Sequence, residues 1–175
     1  MSLIKCVLIS MVLYGCPLSE EPRLIDLREG FRQAVVADEV ENFFDSVKDL
    51  EQLAAPKQAY QACAYAMKAK ESWNPFSKLA YIRKYDQLME KATDQSPNNI
   101  EIRFLRFSIE YNLPEWLGMS DHISEDIHYI SNHTADIEQL MLHSEYAQYI
   151  LYFIRETGLC ESSTITELQQ ALIKE

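Results

Sequence analysis

Turn-forming residues are scarce in this chain, with 4 Gly and 6 Pro among 175 residues. So few leave little room for the many tight connections of an all-β fold. No Asn-Gly pair marks a hairpin. The glycines stand alone at positions 15, 30, 118 and 158, so there is no Gly-rich phosphate loop. Neither G-x-S-x-G nor H-E-x-x-H occurs, and Cys63 and Cys160 lie far from C-x-x-C spacing. Basic residues are outnumbered, 16 Lys+Arg against 27 Asp+Glu, for a net charge of −11. That balance argues against non-specific binding to nucleic acid or anionic lipid, since phosphate contacts need positive surface. No catalytic signature and no cofactor motif remains, so the expectation is a non-enzyme with no cofactor.

What is present has ordinary globular proportions, 47% hydrophobic and 25% charged. A chain of this length buries one core without needing disulfides or metal. Residues 20–175 read as a single α-helical domain behind a leader over 1–16. In the leader, Lys5 precedes an uncharged run from Cys6 to Gly15. This is the pattern of a secretory signal, and it is shorter than the about 20 residues that span a bilayer. Leu13-Tyr14-Gly15-Cys16 resembles a bacterial lipoprotein box, which would make Cys16 the lipidated residue. Tyr14 departs from that pattern, where a small or β-branched residue is usual. A processed leader implies the bacterial envelope or periplasm, with the lipid as the sole membrane contact. An unprocessed one implies a buried first helix and a cytoplasmic protein. Cys63, set among alanines, reads as a small buried hydrophobe. A Cys63–Cys160 disulfide is allowed in an exported protein but not implied.

Prolines and caps divide the rest into about eight helices, near 22–37, 38–52, 56–72, 75–94, 97–113, 120–132, 138–157 and 163–174. Pro22, Pro56, Pro75 and Pro97 each open a periodic run, as proline does at a first helical position. Asn74 and Ser96 precede two of these prolines as N-caps, and Thr164-Ile165-Thr166-Glu167 fits a capping box. Ala59, Ala62, Ala66 and Ala69 form a small-residue stripe that admits a close neighbour. Ile100 to Tyr111 is apolar around most of its circumference, leaving Arg103, Arg106 and Glu110 on one narrow face. Such a helix is central and covered on two sides. Tyr146 to Ile154, in which Gln148 is the single strongly polar residue, also reads as a buried helix.

Three groups of residues could bind something. Arg103 and Arg106 share a face one turn apart and could clamp a carboxylate or phosphate. The plainer reading pairs them with Glu110, with Glu101 or with acidic residues of the next helix. Trp73, Phe76, Tyr111 and Trp116 flank helix junctions, where aromatics fill wedges or line a groove. Glu125 and His128, at i and i+3, share a helix face as metal-binding pairs do. The second pair that a di-iron bundle needs is missing, and a solvated acidic helix is the plainer reading. Charge is uneven: residues 57–106 carry nine basic and five acidic groups, and 107–175 carry two and twelve. Those parts could pair within the fold or head to tail between molecules.

Met89, Ala92 and Pro97, followed by Asn98-Asn99-Ile100, are similar to the close of a tetratricopeptide repeat. Pro75 interrupts where that repeat would continue a helix, and the period does not recur. The stretches Ser72–Lys78 and Ser96–Arg106, with Asn112-Leu113-Pro114 and Leu117-Gly118, resemble a bacterial family of uncharacterised helical proteins. The resemblance covers about residues 56–130. It implies stacked helical hairpins and a bacterial source, and no activity.

The expected fold is all-α: tetratricopeptide-like stacked hairpins of about seven to eight helices. The expected function is a protein- or peptide-binding scaffold with a groove around Trp73, Tyr81, Arg103, Arg106 and Trp116. The alternative is a metal-binding protein or enzyme using Glu125 and His128. A processed lipoprotein is expected to show, by intact mass of the native membrane fraction, a chain starting at Cys16 with added acyl mass. A full-length chain in the soluble fraction would overturn that expectation.

Overall fold

The computed structural model describes residues 22–114, 117–138 and 144–172. These residues are all-helical, with no strand among them. In chain order the helices are α1 (Leu24–Val36), α2 (Val40–Val47), α3 (Ala55–Glu71), α4 (Pro75–Gln95) and α5 (Ile100–Asn112). They are followed by α6 (Ile123–Asn132), α7 (Thr134–Glu138), α8 (Ser144–Thr157) and α9 (Ser162–Leu172). Successive helices pack as hairpins: α1 on α2, α3 on α4, α5 on α6 and α8 on α9.

Local chemistry sets most boundaries. Pro56 sits in the first turn of α3 and Pro75 opens α4. The Asn74 side chain accepts a hydrogen bond from the amide of Phe76 (2.9 Å), closing an otherwise orphaned donor. Gly158 follows α8 at φ +67°, the left-handed conformation that ends helices cheaply with glycine.

Several boundaries differ from the sequence expectation. The helix expected over 38–52 shortens to α2, because Asp38 and Gln52 take left-handed φ angles of 60° and 54°. The cap of α5 is Asn99 rather than Ser96: its Oδ1 accepts from the amides of Glu101 (3.0 Å) and Ile102 (3.1 Å). Thr164 lies inside the first turn of α9, which starts two residues earlier, so no capping box forms there. Of the run expected over 138–157, Ser144–Thr157 forms α8, and residues 139–143 lie outside the described residues.

The core is aromatic and alanine-rich. Phe31 of α1 meets Phe43, Tyr60 and Tyr149 edge-on, with ring centroids 5.8–6.3 Å apart. The stripe of α3 is buried at Ala59, Ala62, Ala66 and Ala69, and α4 and α5 both lie against this helix. Helix α5 is central: every residue from Ile100 to Glu110 is buried, its polar face included. Phe104, Phe107 and Tyr111 of α5 all meet Phe153 of α8. Helix α8 buries Tyr146, Ala147, Ile150, Leu151 and Ile154 but leaves Tyr152 exposed, so it is covered on one side. Cys63 is buried and Cys160 half-buried, and both are free thiols. Burial pushes the Cys63 thiol well above its ordinary range.

Gly30 of α1 lies against the Phe43 ring of α2. A Cβ there would stand 2.9 Å from the ring of Phe43, which is itself buried. Alanine favours a helix interior over glycine by about 1 kcal/mol, but overpacking a fixed ring costs about 1–3 kcal/mol. Gly30→Ala is therefore expected to lower stability by about 1 kcal/mol in urea denaturation. An increase would show that the ring yields.

Candidate functional site

Of the polar side chains that the sequence singles out, Glu101, Arg103, Arg106 and Glu110 lie on α5. Glu101 opens that helix at a position 2% exposed. Arg28 of α1 grips its carboxylate with two donors, Nε at 2.7 Å and Nη2 at 2.8 Å. The Tyr60 hydroxyl of α3 donates to the same group (2.6 Å), and the Tyr146 hydroxyl of α8 lies 2.6 Å from that of Tyr60. Since Tyr60 donates to Glu101, Tyr146 is the donor in the tyrosine pair. Burial pushes both phenols far above their ordinary range. Burial pulls Arg28 down, but the bond to Glu101, the charge of that carboxylate and the nearby phenols of Tyr60 and Tyr146 together outweigh it and hold the guanidinium above its ordinary value.

One turn on, Arg103 and Arg106 face α6 rather than open solvent. Asp126 of α6 is fully buried. Arg106 reaches it with Nε (2.7 Å) and Nη2 (2.6 Å), and Arg103 with Nη1 (3.0 Å). The same Arg103 Nη1 also contacts Glu125, and its Nε donates to the carbonyl of Pro97 (2.9 Å). The guanidinium lies over the Tyr129 ring, 4.8 Å from its centre. Glu110 turns to His122, whose Nδ1 is 2.9 Å away and whose amide donates at 3.2 Å. The pairing of Arg106 with Glu110 along one helix therefore gives way to pairing across helices. These guanidinium forks serve α5–α6 packing, and their carboxylate partners come from this chain.

Glu125 and His128 do not converge. Glu125 turns to Arg103, whereas the exposed His128 meets Asn132, with Nε2 and Nδ2 3.1 Å apart. Among the described residues no three His, Cys, Asp or Glu side chains are grouped as an ion would require. Tyr81 packs beside Phe44 and Tyr65, with centroids 5.8 and 6.2 Å away, on the α2–α3–α4 side. Trp116 and Cys16 lie outside the described residues.

Trp73 is placed differently from all of these. It stands in the turn between α3 and α4, 99% exposed, and Phe76 beside it is 84% exposed. Leu79, Ala80 and Arg83 continue the exposed face along α4. Lys70 and Lys78 border it in sequence. The sequence marks the aromatics, but nothing in a helical period distinguishes a wedge from an exposed corner. That needs the neighbour, and among the described residues none covers this corner: the first half of α4 buries no residue before Ile82.

Compared with protein-family models, curated proteins and solved structures, the chain shows no significant match. Among the described residues no helix is long and apolar enough to cross a membrane.

Asp126→Ala leaves Arg106 buried without its partner and is expected to cost about 3–5 kcal/mol in urea denaturation. A loss under about 1 kcal/mol would mean that water replaces the carboxylate. Burial pushes the Glu110 carboxyl up, against the opposing effect of His122. A carboxyl raised by folding loses stability as pH rises from its unfolded value through its folded one. Relative to the native chain, Glu110→Gln should therefore become more stable between pH 4 and pH 7. An unchanged difference between those pH values would refute this.

Proposed function

We propose that this chain is a non-enzymatic protein-binding module, built of hairpins stacked in the tetratricopeptide manner. Its docking surface is the outer face of α4 and the turn before it. The observation that carries this reading is the exposure of Trp73 and Phe76 side by side. Removing two large aromatic rings from water is among the strongest contributions to association. Leu79 and Ala80 extend the apolar strip, and Lys78 and Arg83 add positive charge on the same helix. The complementary partner is an acidic amphipathic segment, with apolar side chains for Trp73 and Phe76 and carboxylates for the cations. Arg103 and Arg106 have a different part: they hold α5 to α6 and so keep the scaffold rigid.

The run before Cys16, and the resemblance of residues 56–130 to uncharacterised bacterial helical proteins, support an address at the bacterial envelope. A binding module held there by a lipid needs no catalytic residues of its own.

The experiment is photo-crosslinking in the native cell from position 73, with an exposed position on α9 such as Gln169 as control. A single acidic partner captured from 73 and not from 169 is the expected result. Trp73→Ala/Phe76→Ala should lower affinity for that partner at least tenfold, while thermal stability stays within about 0.5 kcal/mol of native. Equal capture from both positions, or undiminished binding by the double variant, would reject the surface.

A further inference from the structure

The second half of α4 faces a separate feature. The loop between α2 and α3, residues 48–53, stands away from that helix. It is held in place from below: Gln61 Nε2 donates to the carbonyls of Val47 (2.8 Å) and Leu50 (2.9 Å). The Tyr65 hydroxyl donates to the carbonyl of Lys48 (3.1 Å). Gln52, at φ 54°, completes the bend. A loop tied this firmly to α3 does not collapse onto α4, and a cleft of about 530 Å³ lies between them. That is within the usual volume of small-molecule sites, about 300–1,000 Å³.

The walls of the cleft carry opposite charges. Lys84 and Lys91 line it from α4, and Asp49 and Glu51 line it from the loop, beside a Lys48 that is already paired with Asp45. Among the described residues none of these four is in an ion pair. Cations and anions thus face each other across a gap that their own side chains do not bridge. Leu53, Leu88 and Tyr65 supply apolar surface between them. The lining also includes Gln58, which is 4% exposed and whose Oε1 has no hydrogen-bond partner. A buried acceptor left in that state is unfavourable, so the amide favours a donor brought to it.

We propose that this cleft binds a small zwitterion: a free α-amino acid or a short peptide. The carboxylate meets Lys84 and Lys91, the ammonium group meets Asp49 and Glu51, and an N–H reaches Gln58 once its amide turns toward the cleft. The apolar surface of Leu53 and Leu88 takes a small side chain. A simple anion would satisfy one wall and leave Gln58 and the acidic wall unmet. The site shares no residue with the Trp73 surface, and the two stand or fall separately.

The test is thermal unfolding of the full chain with pools of the free amino acids and of alanyl dipeptides, each at 1 mM. Any ligand binding at or below 0.1 mM should raise Tm by about 3 °C or more. N-acetylation or C-amidation of the active compound should each weaken it at least tenfold by calorimetry. Lys84→Ala/Lys91→Ala, at exposed positions, should do the same without shifting the unliganded Tm. Gln58→Met should also weaken binding, and Gln58→Glu, which keeps an acceptor, should restore part of it. The proposal is overturned if no pool shifts Tm or if the lysine variant binds as well as native protein. It is also overturned if inorganic phosphate or acetate alone gives an equal shift, the mark of a plain anion site.

Discussion

A carboxylate placed among apolar helices has to be neutralised before those helices can close around it. Glu101 is such a group, at the first turn of a helix buried on every side. Its partners come from three other helices: Arg28 from α1, Tyr60 from α3 and, through Tyr60, Tyr146 from α8. Each contact is short and directional, so together they restrict how the four helices can be rotated and shifted. Buried ion pairs add little net stability compared with apolar packing. Their effect is on selection, since any arrangement that separates Arg28 from Glu101 leaves a charge unmatched in the core. Asp126 acts likewise between α5 and α6, with two arginines closing on one fully buried carboxylate.

This use of charge explains what the rest of the surface can do. Arg103 and Arg106 are bound within the fold by acidic residues of the next helix, one of the pairings that the sequence offered, so recognition falls to residues outside the networks. The first half of α4 is one such region. Its partner on the inner side is α3, and its outer face carries Phe76 and Leu79, both exposed among the described residues. The cleft behind the 48–53 loop is another, because Gln61 and Tyr65 hold that loop at a distance. Both regions draw on α4, which lies in the more basic part of an otherwise acidic chain.

Much of the architecture was legible in the residues. The prolines at 56 and 75 and the Asn74 cap located helix starts, and the apolar circumference of Ile100–Tyr111 identified the central helix. The small-residue stripe on α3 forecast a close neighbour, and α4 and α5 both lie against that helix. Boundaries failed where local signals competed. Ser96 and Asn99 are both good caps, and Asn99 prevails because its side chain satisfies two amides at once. Left-handed turns at Asp38 and Gln52 were invisible, since neither residue is glycine and helical periodicity runs through both. The candidate site was legible only as a set of residue types. That Arg103 and Arg106 share a face followed from the helix period; that Asp126 occupies the space opposite did not.

The amino-acid sequence by itself determined an all-α chain, its central helix and the absence of familiar catalytic signatures, because helical period, caps and motifs act over a few residues. Tertiary structure decided which charges are consumed and which stay available. Trp73 and Tyr81 are both aromatics near the same turn, yet one is open to solvent and the other packs against Phe44. Burial and pairing depend on residues far apart in the chain, brought together only by the packing of whole helices, and no local pattern carries that information.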